Sequence, residues 1–329
     1  MKRTLSILLA ITLVIANSSS GAAAADKLET KFWTFASPLS TASMYAYCVA
    51  VAKTISTVYP EFNLTVSETQ GTAAITDRIR NGEAMLGNSV STSDYESFHG
   101  VGAFDGKPEL TGRVLWYYDY SKYAFFASKA ANIKSWSDLD GKKVNLGGTG
   151  TSMSTITRNV FNLLGIHPEF FEANKSDAGE ALTSRQIVGM CSSGNPDPFL
   201  MQICASIPVD IVSFSKEEID RITSTYPYLV PIVIPGGTYD GIDSDALSFQ
   251  FLGGVQASTR VTQEEGYKMF KAVYENPDMW KVTWPNYADM IETALISPIP
   301  LHAGTVQYLV EKGVEVPASL VPSEYKPVS

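Results

Sequence analysis

Cysteine and histidine are scarce, because the chain of 329 residues contains only three of each. His99, His167 and His302 lie far apart, and no cysteine–histidine spacing suits a zinc site. The motif G-x-S-x-G, which presents the nucleophile in many serine hydrolases, is absent as well. The sequence therefore gives no support for a metal site or a catalytic triad.

Lysine and arginine form no clusters, and the formal net charge is −9, which argues against nucleic acid as a partner. Long apolar runs are missing after the first 25 residues. Residues 1–25 combine Lys2 and Arg3 with an apolar run and with small residues before Asp26, as in a cleaved secretory signal peptide. We therefore expect an exported, periplasmic protein that begins near Asp26.

The three cysteines admit two interpretations. In an oxidising compartment one pair could form a disulfide, and Cys191 and Cys204 are the closest in sequence. All three, including Cys48, could equally be small buried apolar residues. The sequence does not decide between these alternatives.

The remaining chain repeats a strand, a polar loop and a helix. Strands are predicted at 31–36, 64–68 and 84–88, and helices at 44–58, at 73–80 and, later in the chain, around 284–296. This alternation is typical of a parallel α/β sheet, in which ligands bind beyond the carboxyl ends of the strands. Four polar loops are predicted to lie there: 37–43, 69–72, 88–93 and 147–152.

The last of these loops follows a short apolar strand and carries the clearest signal. Gly147, Gly148 and Gly150 would let a ligand approach the main chain closely. A helix that begins near Ser152 would direct free N–H groups and its dipole at an anion. Because the loop lacks the lysine of a phosphate-binding loop, we expect a carboxylate rather than a phosphate. An ordinary strand-to-helix turn would have the same local sequence.

Two aromatic-rich extended segments, 113–118 and 123–127, indicate a crossing into a second lobe, and 247–252 indicates the return. About 300 residues after the signal peptide also favour two lobes over one large domain. The predicted boundaries are 1–25 for the signal peptide, 26–118 for the first part of lobe 1, 119–243 for lobe 2, and 244–329 for the second part of lobe 1 with the C-terminal helices and tail.

Several separated segments together resemble one known family. They are 133–165, the motif Thr69-Gln70-Gly71 with the following 78–84, and the segments 226–231, 234–239 and 300–308. In this order they resemble the TAXI family, the extracytoplasmic receptors of a subset of tripartite ATP-independent periplasmic (TRAP) transporters. The resemblance extends over nearly all of the chain after the signal peptide.

The resemblance implies an α/β fold, the two-lobed type II periplasmic binding protein fold with two hinge crossings. It implies a monomer without enzymatic activity or cofactor that captures a small carboxylate in the cleft, either an amino acid such as glutamate or an organic acid. The partner would be an integral-membrane TRAP permease. An exported ligand sensor for a membrane receptor would use the same fold. An exported serine hydrolase is the less favoured alternative.

The candidate ligand-binding residues come from the polar loops and from positions that the resemblance implies. They are Ser37, Thr41, Ser43, Tyr45, Gln70, Asn88, Ser89, Ser91, Gly148, Thr149, Gly150, Thr151, Ser152, Ser192, Asn195 and Tyr239. Ser192 and Asn195 could equally belong to a surface turn, and Tyr239 to the core. Four arginines are candidates for pairing with the carboxylate: Arg78, Arg113, Arg158 and Arg185.

Overall fold

The computed structural model describes residues 29–40, 42–149, 151–194 and 196–328. The predicted signal peptide, Thr41, Gly150 and Asn195 lie outside the described residues, and so does the side chain of Ser43. No helix in the described ranges is long and apolar enough to cross a membrane.

The strands and helices alternate along most of the chain. The strands are β1 (Lys31–Ser37), β2 (Phe62–Glu68), β3 (Leu86–Val90), β4 (Gly112–Ser128), β5 (Lys143–Asn145), β6 (Glu169–Phe170), β7 (Gly189–Gly194), β8 (Val209–Ile211), β9 (Val230–Ile234) and β10 (Ala246–Ser258). The helices are α1 (Ser43–Val58), α2 (Gly71–Asn81), α3 (Ser91–His99), α4 (Ser152–Leu164), α5 (Lys175–Thr183), α6 (Pro198–Ser206), α7 (Lys216–Thr225), α8 (Gln263–Glu275), α9 (Met290–Ala294) and α10 (Ala303–Glu311).

A ten-stranded sheet connects the two lobes. Eight strands follow one another in the order β2-β1-β3-β10-β4-β7-β5-β6, while β8 pairs with β4 and β9 pairs with β10. In lobe 1, β1 pairs in parallel with β2 and β3, and in lobe 2, β5 pairs in parallel with β6 and β7. The long antiparallel strands β4 and β10 run from one parallel group to the other. The predicted two-lobed fold with two hinge crossings is therefore confirmed, and β4 and β10 are the crossings.

Strand β4 corrects the prediction of two separate aromatic segments, because it is one continuous strand of 17 residues. Polar residues in its middle suggested a break, but Asp119 and Ser121 are buried there and hydrogen-bond to each other. The pairing with β10 is irregular at Gly253 and Gly254. A Cβ on Gly254 would lie 2.5 Å from the Trp116 carbonyl oxygen, so this crossing requires a glycine.

Each lobe has its own aromatic core, and β4 contributes to both. Trp116 packs in lobe 1 with Phe270 of α8 and with Trp280. Phe125 packs in lobe 2 with Trp136 and with Phe161 of α4. Burial of large rings on both sides of the crossing stabilises each lobe separately, which leaves the strands between them to act as a hinge.

The cysteines are small core residues and not a disulfide pair, because all three are free. Cys48 is fully buried in the core of lobe 1. Cys191 and its neighbour Met190 on β7 belong to different clusters, as expected for opposite faces of a sheet. Cys204 packs against the cluster of Met190, so the sheet separates it from Cys191.

One helix, α3, was not predicted, and another differs from its predicted extent. The segment 88–93 is not a loop, because β3 continues to Val90 and α3 begins directly at Ser91. The helix predicted around 284–296 is shortened to α9 at Met290–Ala294, with Asp289 as its N-cap. Hydroxyl residues favour loops and helix caps alike, so composition alone did not show that α3 starts there.

Two buried titratable groups in lobe 1 have pKa shifts of opposite sign. His302, the N-cap of α10, accepts a hydrogen bond from the Gly304 N–H at 3.1 Å and donates one to the Val261 carbonyl at 3.0 Å. Burial lowers the pKa of His302 to about 4. Asp94 in α3 accepts hydrogen bonds from Tyr117 and Gln256, and burial raises the pKa of Asp94 to about 7.

We expect these two groups to oppose each other in the pH dependence of stability. As the pH falls from 6.5 to 4, His302 becomes protonated in the unfolded chain but stays neutral in the folded protein. Acidification therefore favours the unfolded chain at this residue and lowers the free energy of unfolding. Asp94 becomes protonated in the folded protein over the same pH range but not in the unfolded chain, so acidification stabilises the folded protein at this residue. Each contribution is about 1.4 kcal/mol per pH unit. In His302→Asn, which retains an N-cap, the free energy of unfolding should therefore rise on acidification relative to the wild-type protein.

Urea unfolding followed by tryptophan fluorescence between pH 4.5 and 6.5 measures this difference. Asp94→Asn is the matched variant, and its stability relative to the wild type should fall on acidification over the same range. A difference between His302→Asn and the wild type that stays constant with pH would contradict the assignment to His302.

Candidate ligand-binding site

The N-termini of α2, α3 and α4 converge on one small cavity between the lobes. The residues of these helices that line it are Thr72 and Ala73, Thr92 and Ser93, and Thr151, Ser152, Thr155 and Ile156. The first turn of a helix has N–H groups without helical partners, and its dipole is positive there. Three of the four candidate loops therefore meet at this cavity, whereas the described part of 37–43 does not line it.

The caps of these helices leave donors available. The N-cap residues Gln70 of α2 and Val90 of α3 make no side-chain hydrogen bond to their helices. Only α4 has a side-chain cap, because the Thr151 hydroxyl accepts from the Ser154 N–H at 3.2 Å. The cavity wall thus carries main-chain donors that no side-chain cap satisfies at α2 and α3, as an anion site requires.

The Thr92 hydroxyl is a buried polar group without a partner. Thr92 is 2% exposed, and its Oγ1 has no hydrogen-bond partner among the residues that the structure describes. The neighbouring hydroxyl of Ser93, by contrast, donates to the Val90 carbonyl. An unsatisfied buried hydroxyl costs about 1–3 kcal/mol. A ligand that bonds to Thr92 would recover part of this cost.

Among the described residues that line the cavity, Glu96 is the one that carries a charge. It is 6% exposed, and burial raises the pKa of its carboxyl group. Its oxygens accept hydrogen bonds from the main chain of Ala103 and from the Tyr228 hydroxyl, the latter at 3.3 Å. Because Tyr228 belongs to lobe 2, this contact also connects the two lobes.

The cavity is closed in this conformation. Its free volume is about 40 Å³, which holds one or a few water molecules but not an amino acid. The hydroxyls of Thr72 in lobe 1 and Ser152 in lobe 2 are 2.5 Å apart, so they bridge the cleft. A ligand can therefore enter only when the lobes separate.

Of the described candidate residues, only Thr151 and Ser152 line the cavity. The Asn88 amide donates to the Gly254 carbonyl, and the Ser91 hydroxyl accepts from the Leu252 N–H. Ser37 and Ser89 are buried, Tyr45 is partly buried, Gln70 is exposed, Gly148 has a positive φ, and the Thr149 hydroxyl donates to Glu172. None of these described residues lines the cavity.

Ser192 and Tyr239 belong to a separate cluster in lobe 2 around Asp197. The Ser192 hydroxyl donates to the Asp197 carboxylate, and the Tyr239 hydroxyl accepts from the Asp197 N–H at 3.1 Å. Lys175 forms an ion pair with the same carboxylate. Asp197 caps α6 as well, so the cluster fixes the turn between β7 and that helix.

None of the four candidate arginines lines the cavity as described. Arg185 is exposed, and the others bind elsewhere: Arg78 to Ser67 and Thr69, Arg113 to Glu324, and Arg158 to Glu172. Within the described part of the chain, no group of histidine, cysteine, aspartate and glutamate side chains could hold a metal ion either. The positive potential of the cavity therefore comes from the helix ends.

The architecture around this cavity is that of the periplasmic solute-binding proteins. MatC from Rhodopseudomonas palustris with bound malate superposes with a TM-score of 0.54 at 12% identity, covering 85% of this chain and 96% of MatC. A TctC solute-binding protein from Polaromonas gives 0.51 at 12% identity, with 85% and 98% covered. The periplasmic binding protein BugD gives 0.52 at 11% identity, with 87% and 99% covered.

A family match classifies the chain more narrowly than its fold does. Residues 35–313 match the NMT1-like family, and the chain belongs to that family. This match covers both lobes and all three helices that line the cavity. The narrower resemblance to the TAXI receptors stays a prediction.

Proposed function

We propose that the protein is a periplasmic solute-binding protein that captures a small carboxylate between its lobes and delivers it to a membrane permease. One observation carries the proposal: three helix N-termini line the same cleft cavity, and so does Thr92, whose buried hydroxyl has no partner among the described residues. MatC, which shares the fold, has bound malate, a carboxylate. The resemblance to TAXI receptors favours a TRAP permease as the partner.

The energetics require several donors together. Each charge-assisted hydrogen bond contributes about 1.5–3 kcal/mol, and a micromolar complex needs about 8 kcal/mol net of the cost of ordering. Donors on three helices can supply this only when the lobes close around the ligand. Capture therefore depends on the hinge, with lobe 1 at 26–118 and 244–329 and lobe 2 at 119–243.

A thermal-shift screen tests this function. Amino acids and small mono- and dicarboxylates are compared with neutral sugars and divalent cations. We expect at least one carboxylate to raise the melting temperature in proportion to the logarithm of its concentration above saturation. Shifts by sugars or cations alone would overturn carboxylate capture. A ligand sensor would pass the same screen, and co-purification with a permease or with a sensor separates the two roles.

Thr92→Val tests the hydroxyl directly, because valine has the same shape but no polar atom. The free protein should become more stable by about 1 kcal/mol, since an unsatisfied hydroxyl is removed. Affinity for the carboxylate found in the screen should fall about tenfold. Denaturant unfolding and isothermal titration measure the two effects.

Ser93→Ala is the matched control on the same helix turn. It removes a hydroxyl that is already bonded to the main chain, so it should not stabilise the free protein. A Thr92→Val variant that is less stable and binds normally would contradict a ligand role for Thr92.

A further inference from the structure

The wall of the cavity carries both positive potential and an acidic side chain. A ligand that is only a carboxylate complements the positive potential but not the acidic side chain. The ends of α2, α3 and α4 supply positive potential and N–H donors, whereas Glu96 supplies a buried carboxyl group in the same wall. An ionised Glu96 would repel a ligand that is only an anion, and none of the described arginines and lysines lines the cavity to offset this charge. The ligand itself is the remaining source of a compensating group.

Glu96 has hydrogen-bonding capacity left over. A carboxylate can accept about four hydrogen bonds, and two partners are present, Tyr228 and the Ala103 main chain. Both partners donate, so both hold the carboxyl group as an acceptor, and Glu96 lines the cavity. A protonated amine is the donor that suits such a buried carboxylate best.

The loop after α3 packs closely against the Glu96 side chain. Gly102 has a φ of +58°, and a Cβ there would lie 2.6 Å from the Glu96 carboxyl carbon. Glycine therefore lets the segment with Ala103 and Phe104, both of which line the cavity, close over the carboxyl group. Glu96 is thus fixed in position one helical turn beyond Thr92, the residue with the unpartnered hydroxyl.

The geometry points to an α-amino acid as the ligand, with its carboxylate at the three helix N-termini and its protonated amine on Glu96. This inference rests on the proposed carboxylate capture and narrows it, because it excludes plain organic acids as the best ligands. It also makes Glu96 a specificity-determining residue.

Matched ligand pairs that differ only in the amine provide the test. Isothermal titration compares glutamate with glutarate, leucine with 4-methylpentanoate, and phenylalanine with 3-phenylpropionate. In at least one pair the wild-type protein should bind the amino acid at least thirtyfold more tightly than its deaminated partner. In Glu96→Gln that preference should largely disappear, while the deaminated acid binds as well as before or better.

Tyr228→Phe is the matched control. It removes the hydrogen bond that joins Glu96 to lobe 2 but keeps the carboxyl group, so the preference for the amino acid should persist. Equal loss of both ligands in Glu96→Gln and in Tyr228→Phe would mean that Glu96 only helps to close the lobes. The wild-type comparison decides the inference even if Glu96→Gln does not fold.

These titrations distinguish a failure of the Glu96 assignment from a failure of carboxylate capture. If the wild-type protein binds the deaminated acids as tightly as the amino acids, or more tightly, the assignment of Glu96 is wrong and carboxylate capture stands. If it binds neither member of any pair but binds another acid without an amine, the assignment of Glu96 is wrong; if it binds no carboxylate at all, carboxylate capture fails as well.

Discussion

Replacing Gly304 by alanine should lower the free energy of unfolding by about 3 kcal/mol or more. Helix α10 crosses α8 at this glycine, and an added Cβ would lie 2.1 Å from the Tyr267 nitrogen and 2.5 Å from the Gln263 carbonyl oxygen. Both atoms are main chain, so no side-chain rotation can relieve the overlap and the helices must move apart. We expect the melting temperature to fall by roughly 10 °C.

Gly313→Ala, two residues beyond the end of α10, is the control. Its positive φ of +76° strains any other residue, but no atom of the described part of the chain lies within 4 Å of the added Cβ. That strain costs about 1–2 kcal/mol. Calorimetry on both variants compares close packing with backbone strain. A Gly304→Ala variant no less stable than Gly313→Ala would contradict the close approach of α8 and α10.

The elements with regular apolar patterns could be predicted from the sequence. Helix α4 begins after Thr151 and ends at Gly165 in the left-handed conformation, as its pattern indicates. Helix α1 and strands β1 and β2 match their predicted positions within a few residues. In these segments the spacing of apolar residues and the capping residues indicate the same element. Local preference and tertiary packing therefore favour the same structure.

The candidate site could be predicted only in part, because its residues come together through tertiary structure. The loop before α4 supplied Thr151 and Ser152, but Thr72 and Thr92 stood in hydroxyl-rich stretches that resemble any helix start. Glu96 carried no sequence signal, because helix α3 has no clear apolar stripe and was not predicted. Its importance comes from burial and from Tyr228, which lies 132 residues away in the chain.

A disulfide between the lobes should nearly abolish ligand exchange. The hydroxyls of Thr72 and Ser152 are 2.5 Å apart across the closed cleft, so cysteines at both positions place two sulfurs close to bonding distance, about 2.05 Å. In the oxidised, ligand-free Thr72→Cys/Ser152→Cys protein, a cavity of about 40 Å³ admits no amino acid. Binding in stopped-flow or titration experiments should slow by more than a hundredfold and return after reduction.

The single variants Thr72→Cys and Ser152→Cys show whether the cross-link, and not the loss of a hydroxyl, slows ligand binding. Each loses one hydroxyl but cannot join the lobes, so each should bind ligand equally well with and without oxidant. They also report on the native cysteines, of which Cys48 and Cys191 are buried and Cys204 is partly buried. Mass spectrometry verifies the bond in the double variant. If the cross-linked protein still exchanges ligand as fast as its reduced form, the ligand enters by a route other than separation of the lobes, and the cavity is not the capture site.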